Sequence, residues 1–417
     1  MNLFSPARQS PGLLSLTAGI IVCLTLLINV AFKIISLKGM MLSVNSLICP
    51  LTTCLYLLAL RIYTPKEQRH LLNISLITLY TFCIGVYVLV NLPAAEYMHG
   101  NPVYQIIFDD IPKKFFAVTM AFALSFYLPH LLFCNPKNRF LPSPIQKLFL
   151  ALLGGASFFL LTFLLLFSGT HVHNFSKVTL DSLIIASLLF FIITLLYLMS
   201  LLKYKTAVRT DNREKEAIPF CYYLICEALV ITLICSACEY RIIAFISYNG
   251  ILAASAVFFP ISLIISTLIG ELWGYRTGIK LSLMLSTTQI IFDMILMSIV
   301  ALPSPEFFNL NPFYSYIMLR RLPADSLTLF ATFTSNTMLL HYLEQKNMQR
   351  PLRILFANVC ANSLLCLIDY SLLYGGIYPY DQIIKLVVDV WQYKIFMTIF
   401  SIPIICKLCT MFEKKNV

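Results

Sequence analysis

Charge is what this sequence has least of. Only 12% of its 417 residues are charged, about half the share of an ordinary soluble domain. Apolar residues make up 59%, and the mean hydropathy is +0.82. Too little polar surface remains to coat a water-soluble body, which excludes a soluble enzyme and a disordered chain. There is no glycine-rich phosphate loop, no HExxH and no GxSxG, so nothing points to ATP hydrolysis by this chain alone, to a metalloprotease or to a serine hydrolase. No catalytic residue, cofactor or metal site is assigned. The 13 cysteines are odd in number and fall mostly in apolar stretches, where a thiol packs as a small hydrophobe rather than joining a disulfide framework. Two CxxC pairs, Cys235/Cys238 and Cys406/Cys409, each supply two of the four ligands zinc normally takes. His171 and His173, in a short loop, add no further ligand pattern.

What is present is a series of apolar runs, each long enough to cross a bilayer. Twelve are expected, at about 12–36, 40–62, 71–92, 114–134, 145–169, 179–202, 218–242, 249–273, 279–302, 314–341, 353–375 and 384–409. The first is too long for a signal-peptide core and has no cleavage pattern after it. The net charge of +11 reads as loop topology, not as nucleic-acid binding. With the N-terminus inside, cytoplasmic segments hold 20 of the 30 Lys and Arg, so both termini are expected in the cytoplasm.

The chain also echoes itself. Pro50 and Pro260 occupy matching places in the second span of each half, and the fifth span from Lys147 overlays the one from Arg353. The expected fold is all-α and polytopic, about 12 transmembrane helices in two parallel six-helix repeats. Residues 1–203 form the first repeat, 204–217 a cytoplasmic linker and 218–417 the second.

An ionisable side chain inside a bilayer costs about 2.5–3.5 kcal/mol on insertion scales and needs a reason to be there. The second half holds Glu227, Glu239, Glu271, Asp293, Asp369 and Asp389 within or at the ends of spans; the first has only Asp181. Asp369 shares a helical face with Asn362 and Asn358, and its first-half counterpart is Phe163. That stripe is either a ligand site or an interhelical hydrogen-bond network. Asp293 stands alone in mid-span. Glu271 ends a span, where an arginine partner is the other reading. Trp273 and Trp391 suit either interfacial anchoring or stacking on a flat ligand.

A family pattern emerges from the second half. Phe258-Phe259-Pro260, ten residues, and then Glu271-Leu272-Trp273-Gly274-Tyr275-Arg276 resembles the signature of the queuosine precursor transporters, the vitamin uptake transporter family. Arg353 followed by Asp369 resembles a second family stretch, and Lys394 followed by Pro403 resembles its closing one. Three positions depart from the pattern: Thr267 stands for an aspartate, Cys366 for a glutamine or asparagine, and Tyr370 for a threonine. The first half keeps Pro50 and the Asn29…Lys33 spacing but little else, so it resembles a degenerate copy fused ahead of a working unit.

The resemblance implies import of a 7-deazaguanine such as preQ0, preQ1 or queuine, or a similar flat heterocycle, by a multi-pass protein of the bacterial inner membrane. The implied substrate-binding residues are Asp369, Glu271, Asn362, Asn358, Asp293, Trp273 and Lys394. The implied framework residues are Pro260, Gly274, Tyr275, Arg276, Arg353 and Pro403. A carboxylate can accept the paired N–H donors of a guanine edge, and a buried one does so strongly. The expected partners are this small molecule and the lipid bilayer, with an ATPase partner left open. Three other readings remain at this stage: a twelve-span transporter of the major facilitator type, a membrane-embedded transferase, and a non-transporting binding subunit.

Overall fold

The computed structural model describes residues 11–30, 32–93, 95, 111–134, 143–168, 175–203, 220–239, 241–245, 250–305, 311–376 and 379–414. His171, His173 and the proposed linker 204–217 lie outside them. The first half comprises α1 (Pro11–Val30), strands β1 (Ile34–Leu37) and β2 (Met40–Ser43), and α2 (Asn45–Ile62). It continues through α3 (Pro65–Asn91), α4 (Ile111–Phe133), α5 (Pro144–Phe167) and α6 (Phe175–Lys203). The same order then recurs: α7 (Phe220–Ala237), β3 (Ile242–Phe245), β4 (Gly250–Ala253), α8 (Ser255–Trp273), α9 (Tyr275–Ala301), α10 (Asn311–Gln345), α11 (Arg350–Tyr374) and α12 (Tyr380–Lys414). Eleven of these helices are long and apolar enough to cross a membrane. The exception is α10, whose interior carries Arg320, Arg321 and Asp325. The protein is an all-α polytopic membrane protein with two small hairpins added.

Those hairpins are the departure from the sequence reading, which broke the spans at 37–39 and 243–248 and expected no strand at either place. Each pairs antiparallel, Ile34 opposite Ser43 and Ile242 opposite Ala253. Lys38 and Gly39 form the tip of the first with φ of 47° and 87°, the left-handed pair that a two-residue turn requires. Both hairpins are largely apolar and are buried at their bases, so no alternation of polar and apolar residues marks them off from the spans on either side.

The hairpins join the halves reciprocally. Lys33, ahead of β1, donates from Nζ to the carbonyls of Ile299 (2.7 Å), Val300 (2.8 Å) and Leu302 (3.0 Å) at the end of α9. Arg241, ahead of β3, donates to the Leu92 carbonyl at 2.7 Å, just past α3. Ser36 N–H reaches Pro303 O and Ala244 N–H reaches Pro93 O, at 2.8 and 3.0 Å. Each cation thus satisfies carbonyls that a helix C-terminus leaves without intrahelical partners. Within each half, the last helix holds the hairpin by a carboxylate: Asp181 accepts from Met41 N–H (2.8 Å) and Asp389 from Ile251 N–H (3.0 Å).

Candidate functional site

The site begins where α7 ends. Glu239 follows the last turn of α7, its backbone carbonyl accepting a 2.7 Å hydrogen bond from Tyr374 Oη at the end of α11. Across from it, α10 presents Asp325 and α11 presents Asp369, and one carboxyl oxygen of each of the three lies within 4.8 Å of the others. All three are buried. Together with Lys394 of α12, Ser255 and Phe259 of α8, and Tyr370 they line a cavity of about 30 Å³, room for a water or two. The Lys394 ammonium lies 4.6 Å from the Phe259 ring centre and 5.3 Å from that of Tyr370, a cation held against two aromatic faces.

Behind this layer sits a second one. Arg321 pairs with Asp293 at 3.0 Å and, one turn along its own helix, with Asp325 at 3.4 Å. Gln289 donates to Asp293 at 2.8 Å, and Ser236 donates to Asp325 at 3.2 Å. The buried set therefore holds four acids, Glu239, Asp293, Asp325 and Asp369, against two bases, Arg321 and Lys394. Fully ionised, it has two negative charges too many, and an uncompensated buried charge costs several kcal/mol. Such a set calls for positive charge or hydrogen-bond donors from whatever enters the cavity. The three clustered carboxyls also have the spacing to hold a metal ion.

Of the seven residues expected to bind substrate, the structure brings Asp369 and Lys394 together at the cavity. Asp293 is adjacent but turned into the Arg321 pair. Asn362 and Asn358 continue along the buried face of α11, about 10 and 16 Å from Asp369 at 1.5 Å per residue. Asn362 donates to Thr398 Oγ1 at 3.0 Å, while Asn358 Oδ1 accepts from Thr267 at 2.7 Å and from Asn336 at 2.6 Å.

Glu271 and Trp273 lie at the opposite end of α8. Glu271 is bound by Arg350 at 3.2 Å and by Arg353 through two hydrogen bonds, and Arg350 also pairs with Glu413. Arg353 and Asp369 are about 24 Å apart along α11, so Glu271 and Asp369 do not meet on one small ligand. Four of the six framework residues, Gly274, Tyr275, Arg276 and Arg353, sit at this same end. Gly274, with φ of 78°, forms the sharp turn between α8 and α9, Tyr275 stacks on His341 at 5.1 Å, and Arg353 binds Glu271. Pro260 and Pro403 lie inside α8 and α12.

Glu239, Asp325 and Arg321 are the site residues that sequence reasoning did not single out for binding. For the last two a signal existed: arginine and aspartate four apart inside an apolar stretch form a helical ion pair. Glu239 carried none beyond its position.

Searches of curated proteins and of solved structures give no match to this chain. Residues 253–408, which run from β4 through most of α12 and include Asp325, Asp369 and Lys394, match the family model described as "Putative vitamin uptake transporter".

Proposed function

We propose that the protein imports a small flat heterocycle across the membrane, a queuosine precursor of the 7-deazaguanine type, and that the second half carries the site. The observation that supports this best is the buried cluster of Glu239, Asp325 and Asp369 facing Lys394. A guanine-like edge offers adjacent N–H donors that a carboxylate accepts in pairs, and an aminomethyl-bearing precursor adds positive charge to a set short of it. Lys394 is suited to meet a ring carbonyl, and Tyr370 or Phe259 to cover a ring face. The cavity is small beside the roughly 300–1,000 Å³ of ordinary small-molecule pockets. Binding therefore requires the helices around it to part, as alternating access does.

In this reading the first half is a tandem copy that has lost its site and serves as a scaffold. Both termini face the cytoplasm of a bacterial cell, in its inner membrane.

The test is uptake of labelled preQ0, preQ1 and queuine into cells that make no queuosine, comparing the wild type with Asp369→Asn. Uptake of at least one precursor is expected, falling to background in the variant with membrane insertion unchanged. No uptake of any of the three by a correctly inserted wild type would refute the substrate class. Uptake that survives Asp369→Asn would refute the site.

A further inference from the structure

Between the cavity and the Glu271 network the second half is polar inside. On α8, Ser262 and Ser266 lie one turn apart on the face that also carries Ser255. On α10, Thr332 and Asn336 repeat that spacing below Asp325, and on α11 Asn362 does so below Asp369. All five are buried. Ser262 Oγ, Ser266 Oγ, Thr332 Oγ1, Asn336 Oδ1 and Asn362 Oδ1 have no hydrogen-bond partner among the described residues.

A column that served only to tie helices together would spend these atoms on one another, as Asn358 does with Thr267 and Asn336. An unsatisfied buried polar atom costs about 1–3 kcal/mol, and leucine in its place would cost nothing comparable. Unpartnered buried atoms also occur in the first half, on Asn45, Ser125 and Thr162 among others; what sets this arrangement apart is that it leads from the acidic cavity to Glu271. It suits a passage whose walls must hydrogen-bond to something that comes and goes.

The column also has two defined ends. One is the acidic cavity. The other is Glu271, whose side chain is only 2% exposed, clamped between Arg350 and Arg353. Three of the helices, α8, α10 and α12, run from the first end to the second, and α11 runs back.

We infer that this column is the route by which a small planar molecule with both donors and acceptors leaves the cavity, and that Glu271 with Arg350 and Arg353 closes its far end. The inference rests on the transporter reading but not on the identity of the substrate. Glu271 on this view is a positioning residue of the gate and not a ligand-binding one.

The full-length purified chain carrying Ser266→Cys tests it with a small polar methanethiosulfonate reagent, the modified site being read by peptide mass. With Glu271 intact the introduced thiol is expected to react slowly, because both ends of the column are closed. Adding Glu271→Gln should speed its modification about tenfold, the effect of shifting a closed–open equilibrium by one decade. The native thiols of Cys83 and Cys226, buried in α3 and α7, should stay unmodified in both. Where Glu271→Gln does not yield folded protein, Arg350→Gln removes one of the two clamping cations and is expected to act in the same direction.

Equal rates with and without the substitution would overturn the gate. Parallel reaction of Cys83 or Cys226 would show a general loosening and overturn it too. Uptake lost in Glu271→Gln with unchanged labelling would place Glu271 on the substrate instead. None of the labelling readouts depends on which heterocycle is carried, so a failed uptake assay and a failed gate are told apart.

Discussion

The two halves have the same element order and opposite interiors. Where α11 sets Asp369, α5 sets Phe163, and around Phe163 the first half builds an aromatic stack. Its ring centre lies 5.9 Å from that of Phe159, 4.9 Å from Phe167 and 5.8 Å from Phe175. Phe122, Phe126 and Phe158 extend the packing toward α4, with centre-to-centre separations of 5.6, 6.1 and 5.3 Å. In the last helix Asp181 and Asp389 make the same bond to their hairpins, yet Ala186 stands where Lys394 does. Along α4, Pro112 and His130 precede Pro323 and His341 by 211 residues each, which puts Lys114 in the place of Asp325. Lys114 is buried with its Nζ 4.2 Å from the Phe32 ring centre. One element order is thus filled once with stacked rings and once with buried charges.

The largest effect that probes this contrast comes from the charged layer. Arg321→Met leaves Asp293 and Asp325 buried beside each other without their shared cation, and breaking a buried ion pair from one side costs about 3–5 kcal/mol. A strong fall in the thermal unfolding temperature of the detergent-purified chain is expected. It should be partly restored in Arg321→Met with Asp293→Asn and Asp325→Asn, which remove the stranded charges. A single variant as stable as wild type would mean that the cluster is already neutral through bound protons.

Phenylalanine and asparagine at comparable depth should then separate stability from transport. Phe158→Ala in the first half opens a cavity in the stack and is expected to cost about 3–5 kcal/mol, with uptake per folded molecule unchanged. Asn362→Leu in the second half is expected to do the opposite. It removes an unpartnered buried oxygen together with the bond from Nδ2 to Thr398, opposing effects of about 1 kcal/mol each, so unfolding temperature changes little while uptake falls at least about tenfold, one decade in rate. If Phe158→Ala impaired uptake by folded protein as strongly, the first half would be carrying substrate after all. Phe163→Asp is the converse probe: restoration of uptake to Asp369→Asn would show that the first half still holds a usable site.

Much of this was legible from residues alone, and the omissions have physical reasons. The spans follow from hydropathy because a bilayer demands long apolar helices. Asp369 followed from its cost in mid-span. The hairpins stayed hidden because four-residue apolar strands are too short to show either a helical or an alternating period, leaving only Lys38-Gly39 and Asn249-Gly250 as turn signals. Arg321 and Asp325 passed unremarked within the expected span 314–341 because the leucines and phenylalanines that follow them keep the run apolar, although α10 falls short of the hydropathy of a spanning helix. Glu271 looked like a ligand residue because the family-like motif surrounds it; its two arginine partners come from α11, 79 and 82 residues later, a pairing no local pattern reveals.

The clasp between the halves is where they remain alike, and it predicts a smaller, matched pair of effects. Hydrogen bonds to a charged donor contribute about 1.5–3 kcal/mol each. Lys33→Met should therefore lower stability by at least that amount, since Lys33 serves three carbonyls, and Arg241→Met by about that amount through its bond to the Leu92 carbonyl. The two sites sit at the ends of different helices, α9 and α3, so the double variant should show near-additive loss. A strongly non-additive loss would mean that one clasp cannot hold without the other, making the pair of hairpins a single hinge on which the halves turn.

The smallest effect tests whether the halves have diverged in their frames as well as their interiors. Asp181 and Asp389 each accept one backbone N–H from their hairpin, a charge-assisted bond that an amide replaces with a neutral one. Asp181→Asn and Asp389→Asn should each cost about 1 kcal/mol, since the amide oxygen still accepts and only the charge is lost. Equal costs with unchanged uptake would show that α6 and α12 brace their hairpins alike. A loss of uptake confined to Asp389→Asn would instead tie the brace to the cavity. Ile251, its partner, lies four residues before Ser255, and Lys394 lies five residues after it on α12, so a shift of that hairpin would reach two walls of the site at once. Beside the first-half brace Asn45 lies four residues after Met41, but Ala186 and Phe163 stand where Lys394 and Asp369 do and offer nothing to a polar ligand.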